Sequence, residues 1–168
     1  MNGDFLICHD LGFGSDALVQ VLQRASGMLV SRLRVYRDIA LRNAICRVTT
    51  SQVGAKLCCG LYSIDSGNKI VGWDGFDGTN NTGSKVVQIP SVMIPSGVYL
   101  FASGSDVSGS AVSVAGKSFT NSLAALIGAQ LLFQTLPNVV GIGGICPSNI
   151  GTLIPATTAT QIPNFILE

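Results

Sequence analysis

Charge is the scarcest property of this sequence. Charged residues make up only 11% of the 168-residue chain, less than half of the usual fraction of about 25%. The net charge of +1 gives no general attraction to nucleic acid or acidic lipid, so neither is predicted as a partner. A free monomer needs surface charge for solubility. The low charge therefore predicts that much of the surface faces other subunits.

Groups that carry acid–base chemistry are also scarce. His9 is the single histidine and Glu168 the single glutamate, which leaves few candidates for general acid–base catalysis. His9 follows Cys8, but neighbours on an extended strand point apart, so these two residues cannot pair as base and nucleophile. The chain also lacks a Gly-x-Ser-x-Gly motif. The sequence predicts that the protein is not an enzyme.

No motif indicates a cofactor. Gly12–Ala17 has the form Gly-x-Gly-x-x-Ala, which in dinucleotide-binding units lets the backbone approach a pyrophosphate at a helix N-terminus. That assignment requires a following helix and an acidic residue about 20 positions later. The segment that follows is instead arginine-rich and strand-like. We interpret Gly12–Ala17 as a glycine turn and predict no cofactor.

Motifs for metal binding are missing as well. The chain contains no Cys-x-x-Cys and no His-x₃-His, so no structural zinc site is predicted. Asp74, Asp77, Asn80 and Asn81 place four oxygen donors in one segment, which is chemistry that calcium accepts. The EF-hand spacing and its bidentate glutamate are absent, however. We interpret the segment as an exposed turn and predict no metal.

The cysteines do not form a disulfide framework. Their number is odd and their spacing irregular, which argues against the pattern of small secreted domains. Adjacent residues on a strand point to opposite faces, so the neighbouring pair cannot serve one site without distortion. We predict packing residues in a protein made in a reducing cytoplasm. The five are Cys8, Cys46, Cys58, Cys59 and Cys146.

Signals for export or membrane insertion are lacking. Met1 to Asp10 contains two acids and no lysine or arginine at its start, which does not suit a signal peptide. The most apolar stretch, Leu123–Phe133, is well short of the roughly 20 residues that a spanning helix needs. The sequence predicts a protein that is not integral to a bilayer.

Short apolar and aromatic runs closed by turn residues are abundant. Between Leu57 and Ser103, runs rich in Val, Ile, Tyr and Leu end at Asp-Ser-Gly, Asp-Gly or Pro-Ser-Gly, a pattern typical of antiparallel strands joined by tight turns. The spacing favours an all-β sandwich or barrel. Two phrases match, Gly60-Leu61-Tyr62 and Gly97-Val98-Tyr99-Leu100. Tyr62 and Tyr99 are predicted to be buried with hydrogen-bonded hydroxyls.

The strand prediction extends over most of the chain. Residues 1–27 are predicted as an N-terminal arm and residues 28–168 as the sandwich domain. Asp74 to Ser84 is predicted to be an exposed loop. Phe119 to Phe133 is the one helix candidate, with Ser118 or Thr120 as its cap. The predicted strands are Met28–Arg37, Ile39–Thr50, Lys56–Ile64, Lys69–Trp73, Val86–Ile94, Val98–Ser103, Ala111–Ala115, Ile150–Ile154 and Asn164–Leu167.

These phrases resemble a known family. A Gly-Leu-Tyr strand, a polar turn, an Ile-Pro segment and then Pro-Ser-Gly-Val-Tyr-Leu-Phe-Ala resemble the jelly-roll domains of tailed-bacteriophage virion proteins. These are capsid decoration proteins and the distal domains of tail and head fibres. Leu41–Thr50 is similar to the preceding strand of that group, and Gly151–Leu167 to its closing strand. The resemblance implies an antiparallel jelly-roll β-sandwich in a virion protein made in the host cytoplasm.

The uneven charge distribution suggests which surfaces are used. All six arginines lie between Arg24 and Arg47, whereas Ser118 to Leu167 carries no charge. One interpretation is a solvated edge beside a buried core. The other, compatible with it, is that the neutral third joins subunits, as in a homotrimer, while arginines face a partner such as the major capsid protein. Predicted interface residues are Phe119, Leu123, Ile127, Leu131 and Phe133; predicted capsid-facing residues are Arg32, Arg34 and Arg42.

Two functions remain open. The preferred one is a non-enzymatic capsid decoration, or cement, protein on the virion surface. The alternative is a receptor-binding fibre tip that holds a host glycan, because an exposed aromatic ring can stack on a sugar while amides bind its hydroxyls. The candidate glycan-binding residues are Trp73, Phe76, Asn80 and Asn81, although such a tryptophan more often closes the end of a sandwich.

Overall fold

Every regular element in the described part of the chain is a β-strand. The computed structural model describes residues 6–7, 19–23, 27–78, 81–107, 112–118, 133–135, 140–155 and 161–168. The strands are β1 (Leu6–Ile7), β2 (Val19–Leu22), β3 (Leu29–Val35), β4 (Ile39–Thr50), β5 (Lys56–Ser63), β6 (Lys69–Asp77), β7 (Gly83–Ile94), β8 (Gly97–Ser105), β9 (Ser113–Ser118), β10 (Phe133–Thr135), β11 (Leu153–Pro155), β12 (Gln161–Pro163) and β13 (Phe165–Leu167). No helix in these residues is long and apolar enough to cross a membrane.

The strands form two antiparallel sheets. The seven-stranded sheet has the order β1-β13-β4-β9-β12, with β2 paired to β9 and β7 paired to β4. The six-stranded sheet has the order β11-β10-β3-β8-β5-β6. From β3 to β9 the chain changes sheet at every connection except the β5–β6 hairpin. The predicted all-β, antiparallel fold is therefore confirmed.

A single apolar core lies between the two sheets. Alternation along each strand sends every second side chain inward, as in β3, where Leu33 and Val35 are buried. Phe165 of the seven-stranded sheet contacts Phe76 and Phe101 of the other sheet, with ring centroids 5.8 and 5.4 Å apart. These tilted and edge-on ring contacts lock the two layers together.

A bulge in β4 adds a polar link between the sheets. The register against β7 shifts between Leu41 and Asn43. The N–H groups of Arg42 and Asn43 both donate to the carbonyl of Glu168, at 2.7 and 2.6 Å. The Arg42 carbonyl accepts a hydrogen bond of 3.1 Å from the indole Nε1 of Trp73 on the opposite sheet. Because a bulge disrupts the regular ladder, this indole supplies a donor that the strand partner does not.

Both tyrosines of the matching phrases are anchored. Tyr62 is fully buried and its hydroxyl donates to the Pro147 carbonyl at 3.2 Å. Tyr99 is half-buried and its hydroxyl donates to the Pro95 carbonyl at 2.7 Å. The predicted hydrogen bonds are present in both cases, but only Tyr62 is deeply buried.

Some predicted boundaries differ from the structure. The predicted loop Asp74 to Ser84 lies in strands at both of its ends. Residues 74–77 belong to β6, and residues 83 and 84 belong to β7. The glycines of this segment lie in or beside the strands and do not break them. The helix predicted over Phe119 to Phe133 falls on residues outside the described part, apart from Phe133, which begins β10. Of the predicted arm, β1 pairs with β13 and β2 with β9.

Candidate functional site

A loop crosses the outer face of the six-stranded sheet, and we call it the covering loop (residues 140–151). The covering loop is held along its length by backbone hydrogen bonds to β6 and to the turn that precedes β6. Gly75 N donates to the Gly144 carbonyl at 3.0 Å, and Lys69 N to the Ser148 carbonyl at 2.8 Å. Ile150 N donates to the Gly67 carbonyl at 3.0 Å. The loop is therefore a fixed layer on this sheet.

Glycine allows the loop to turn and to approach the sheet. Gly141 N donates to the Ile145 carbonyl at 2.9 Å and Ile145 N donates back to Gly141 at 3.2 Å, which closes a tight turn. Gly144 has a φ of +68° inside this turn, a conformation that side chains disfavour. A Cβ there would also lie 2.8 Å from the Leu57 carbonyl oxygen. Only glycine fits this position.

The loop buries a second, smaller apolar cluster against the sheet. Its members come from the outward-facing positions of β3, β5 and β8, from Met28 just before β3, and from the loop itself. Lys69 Nζ donates to the Cys146 carbonyl at 2.8 Å at the cluster's edge. The buried members are Met28, Val30, Cys58, Tyr62, Leu100, Ala102, Cys146 and Ile150.

Cys146 fills a slot that two glycines leave open. A Cβ on Gly60 would lie 3.3 Å from the Cys146 sulfur, and one on Gly72 would lie 3.2 Å from the Cys146 Cβ. Both distances are tighter than ordinary contact. The glycine of the Gly60-Leu61-Tyr62 phrase therefore makes room for a residue that lies far away in the sequence. The Cys146 thiol donates to the Cys59 carbonyl at 3.1 Å.

Three potential metal ligands meet at this slot. The sulfurs of Cys58 and Cys146 and a carboxylate oxygen of Asp74 all lie within 4.8 Å of one another. Asp74 Oδ1 also accepts a hydrogen bond of 2.7 Å from Cys146 N. We call these three residues the Cys–Asp–Cys cluster. Both cysteines are buried and Asp74 is exposed, so the cluster is open to solvent on one side only.

A bulge in β6 lies opposite Cys58. Leu57 pairs with Phe76 and Cys59 with Trp73, so Cys58 stands opposite two residues, Asp74 and Gly75. Gly75 has a φ of +76°. Bulges with a left-handed glycine re-aim side chains at functional sites. Here the extra residue lets both Trp73 and Phe76 face the core. Asp74, which follows Trp73, lies on the same outer face as Cys58.

Cys146 and the neighbouring Tyr62 hold their protons tightly. A hydrogen bond to Cys58, burial and the nearby Asp74 together raise the pKa of Cys146 well above its usual value. Burial, with smaller effects from both cysteines and Asp74, raises the pKa of the Tyr62 hydroxyl. Without a cation, Cys146 is a neutral thiol and Tyr62 a neutral phenol at neutral pH.

The candidate glycan-binding residues do not form an exposed platform. Trp73 is 0% exposed and Phe76 is 1% exposed, so neither ring can stack on a sugar. Both point into the core because they occupy inward positions of β6. Asn81 is exposed, and Asn80 lies outside the described residues. The structure corrects the hypothesis of an aromatic glycan site and shows both rings as core residues.

The three predicted capsid-facing arginines are exposed but do not share a surface. Leu33 and Val35 face the core, so Arg32 and Arg34 point away from it on the six-stranded sheet. Arg42 is exposed on the seven-stranded sheet. One flat partner can therefore contact the first two or the third, but not all three.

An exposed apolar row crosses the seven-stranded sheet. Ile45 stands directly opposite Val86 of β7 and Ile166 of β13, so all three side chains share the outer face. Val86 is 59% exposed and Ile166 is 38% exposed. We call these residues the outer row (Ile45, Val86, Ile166). Arg42 and Arg47 lie exposed on β4 on either side of it.

Other predicted sites can be placed only in part. The predicted interface residues Phe119, Leu123, Ile127 and Leu131 lie outside the described residues, as do His9 and Gly12–Ala17. Phe133 is described by its backbone alone, in β10. The four oxygen donors considered for calcium are not shown as one ligand set. Asp74 joins the Cys–Asp–Cys cluster, and Asp77 pairs with Lys56 at 3.3 Å.

Sequence reasoning missed the Cys–Asp–Cys cluster. Asp74 and Cys146 are 72 positions apart, so no motif spacing reveals them. The available signal was the pair of glycines, Gly60 and Gly72, in otherwise good strands, since glycine inside a strand marks a close approach. No protein-family model matches the chain, and no curated protein or solved structure matches it.

Proposed function

We propose that this chain is a non-enzymatic structural protein of a tailed-bacteriophage virion that decorates the capsid exterior as a cement protein. In this proposal the domain is a jelly roll and assembles with copies of itself as a trimer. The Gly-Leu-Tyr and Pro-Ser-Gly-Val-Tyr segments, which resemble such virion domains, support it. A jelly roll is a double sheet built from Greek keys, and a chain that changes sheet at most connections is in keeping with that topology.

The observation that carries the proposal is the outer row with its flanking arginines. Monomeric proteins expose single apolar residues commonly, but a contiguous apolar row rimmed by polar groups marks an interaction site. Arginine is enriched at protein interfaces and supplies charged hydrogen bonds at their rims. The combination of Ile45, Val86 and Ile166 with Arg42 and Arg47 on one sheet face suits a broad protein partner such as a capsid shell.

Reconstruction of particles tests the proposed place of the protein. Cryo-electron microscopy of the phage that encodes the chain should show ordered copies on the outer surface of the head, grouped around threefold axes. The outer row should face the shell. Density for the chain only in the tail, or its absence from purified heads, would contradict the proposal.

A variant in the outer row tests the surface itself. Val86→Asp would bury an unpaired carboxylate at the contact, so its binding to heads stripped of the protein should weaken at least about tenfold. Val53→Asp is the matched control, because Val53 is 85% exposed in a turn away from the row. Binding would be measured by co-sedimentation. Equal binding by both variants would remove the outer row from the capsid contact.

A further inference from the structure

We propose that Cys58, Asp74 and Cys146 form a structural site for a thiophilic divalent cation, Zn²⁺ above all, which fastens the covering loop to the six-stranded sheet. The site would have three protein ligands, with water as the fourth on the exposed side of Asp74. Zinc binds both thiolate sulfur and carboxylate oxygen, most often in a tetrahedral set of four ligands. This inference goes beyond the proposed role in the virion, because it concerns the stability of the domain itself.

The ligand atoms are already close to zinc geometry. Zinc bonds of about 2.3 Å to sulfur and 2.0–2.2 Å to oxygen place tetrahedral ligand atoms about 3.4–3.8 Å apart. The three atoms of the Cys–Asp–Cys cluster lie within 4.8 Å of one another. They therefore need to approach by at most about 1.4 Å.

Surrounding hydrogen bonds hold the ligands in place. Asp74 Oδ1 accepts from Cys146 N at 2.7 Å, which ties one ligand to the backbone of another. The Tyr62 hydroxyl donates to the Pro147 carbonyl, fixing the residue that follows Cys146. Such outer contacts orient ligands and raise metal affinity. The covering loop is thus preorganised on the sheet before any cation binds.

The charges also balance around a divalent cation. Two thiolates and one carboxylate carry three negative charges, and the cation with the Lys69 ammonium beside Cys146 carries three positive charges. Binding releases the thiol protons of both cysteines to solvent, and the hydrogen bond from Cys146 to the Cys59 carbonyl is lost. The thiol protons and the waters displaced from the hydrated cation leave to solvent, and no oxidation state changes.

Simple packing and a disulfide are the two alternative roles for these cysteines, and neither explains the position of Asp74. Packing alone explains buried cysteines, but it gives no role to a carboxylate oxygen that lies within 4.8 Å of both sulfurs. A Cys58–Cys146 disulfide would leave Asp74 without a role at the sulfurs. The carboxylate distinguishes the metal site from both alternatives.

Cobalt binding tests the site directly. The full chain, stripped with chelator and kept reduced, would be titrated with Co²⁺, whose thiolate charge-transfer band reports sulfur ligands. One Co²⁺ per chain with the intensity of two thiolates is expected, and Zn²⁺ should displace it. Cys58→Ser and Cys146→Ser should each lose the band. Cys59→Ala is the matched control, because Cys59 is equally buried but faces the other side of β5, and it should keep the band.

The Asp74→Asn variant provides a second test of the site in case the serine variants do not fold. The amide oxygen can still accept from Cys146 N, so the fold should persist while Zn²⁺ affinity falls at least about tenfold. Zn²⁺ should also raise the melting temperature of the parent but not of a folded Cys146→Ser protein. No thiolate band in the reduced parent, a band lost equally in Cys59→Ala, or a Cys58–Cys146 disulfide in protein from the reducing cytoplasm would overturn the proposal.

Discussion

At the scale of single residues, Trp73 joins the two sheets twice. Its ring is buried in the shared core, and its indole donates to the Arg42 carbonyl at the bulge in β4. A buried carbonyl without a partner costs about 1–3 kcal/mol. The polar contact therefore adds to the stabilisation that burial of the ring provides.

Trp73→Phe tests this contact. The variant keeps an aromatic ring but loses the donor and some volume, so the free energy of unfolding should fall by at least about 2 kcal/mol. Tyr99→Phe is the control, because Tyr99 is half-buried and water can replace its hydroxyl; a loss of no more than about 1 kcal/mol is expected there. Urea unfolding measures both. Equal losses would argue against a special role for the indole.

The raised pKa of Cys46 predicts how the free energy of unfolding changes at alkaline pH. Burial, only partly offset by Lys85, raises the pKa of Cys46 from 9.0 to about 12. Above pH 9 the unfolded chain releases this proton while the folded chain keeps it. The contribution of Cys46 to the free energy of unfolding is therefore fully present below pH 9 and is lost as the pH rises to about 12. The slope for this one group is about 1.4 kcal/mol per pH unit.

Cys46→Ala should remove that slope. Its unfolding free energy will be lower at pH 8 because a buried sulfur is lost, but the decline between pH 9 and 11 should be shallower than in the parent. Urea unfolding at each pH, in reductant and chelator, gives both slopes. Parallel curves for parent and variant would show that this thiol does not control the alkaline limit.

At the scale of elements, strand pairing and the covering loop build the site. The pairing of β6 with β5 sets Asp74 beside Cys58, and the turn at Gly141–Ile145 carries Cys146 down onto the sheet. Neither element forms the cluster alone. The geometry of the site therefore depends on how closely the loop can approach β5.

Gly144→Ala tests that approach. Its Cβ would overlap backbone atoms of Lys56 and Leu57 at 2.8 Å in addition to the strain of a φ of +68°. Gly143→Ala is the control, since its φ is +85° but nothing lies within 4 Å of its Cβ. Strain alone costs about 1–3 kcal/mol, so Gly144→Ala should lose clearly more. Hydrogen exchange at Lys69 and Ile150 would report whether the loop has lifted.

At the scale of the whole molecule, scarce charge remains the strongest guide to assembly. Within the neutral stretch from Ser118 to Leu167, a subunit contact is still predicted for Phe119, Leu123, Ile127, Leu131 and Phe133. Apolar burial gains about 25 cal/mol per Å², and a ring repeats that gain at each copy. The outer row would then remain free for another partner.

Leu123→Asp tests this contact. A carboxylate buried without a partner should disfavour association strongly, so light scattering should show a smaller mass than for the parent. Val53→Asp, at an exposed turn position, should keep the parent's mass. A folded Leu123→Asp protein of unchanged mass would exclude this surface, and a monomeric parent would remove the basis of the interface prediction.

Local patterns were enough to predict much of the fold. Alternation along Met28–Arg37 and Ile39–Thr50 indicated β3 and β4, and opposite faces for Cys58 and Cys59 followed from strand geometry alone. These properties depend on neighbouring residues, which a sequence displays directly. The strand ends near Asp74 and Gly83 were wrong, because glycine and Asp-Gly pairs mark turns and bulges alike.

Only the tertiary structure decided where side chains converge. The sequence determined an all-β chain with inward and outward faces, few charges and five cysteines. It could not show that Arg42 lies on a different sheet from Arg32 and Arg34, or that Asp74 and Cys146 meet across 72 positions. Strand pairing and a returning loop set those contacts. Each is fixed by packing and hydrogen bonding between distant segments, which no local pattern encodes.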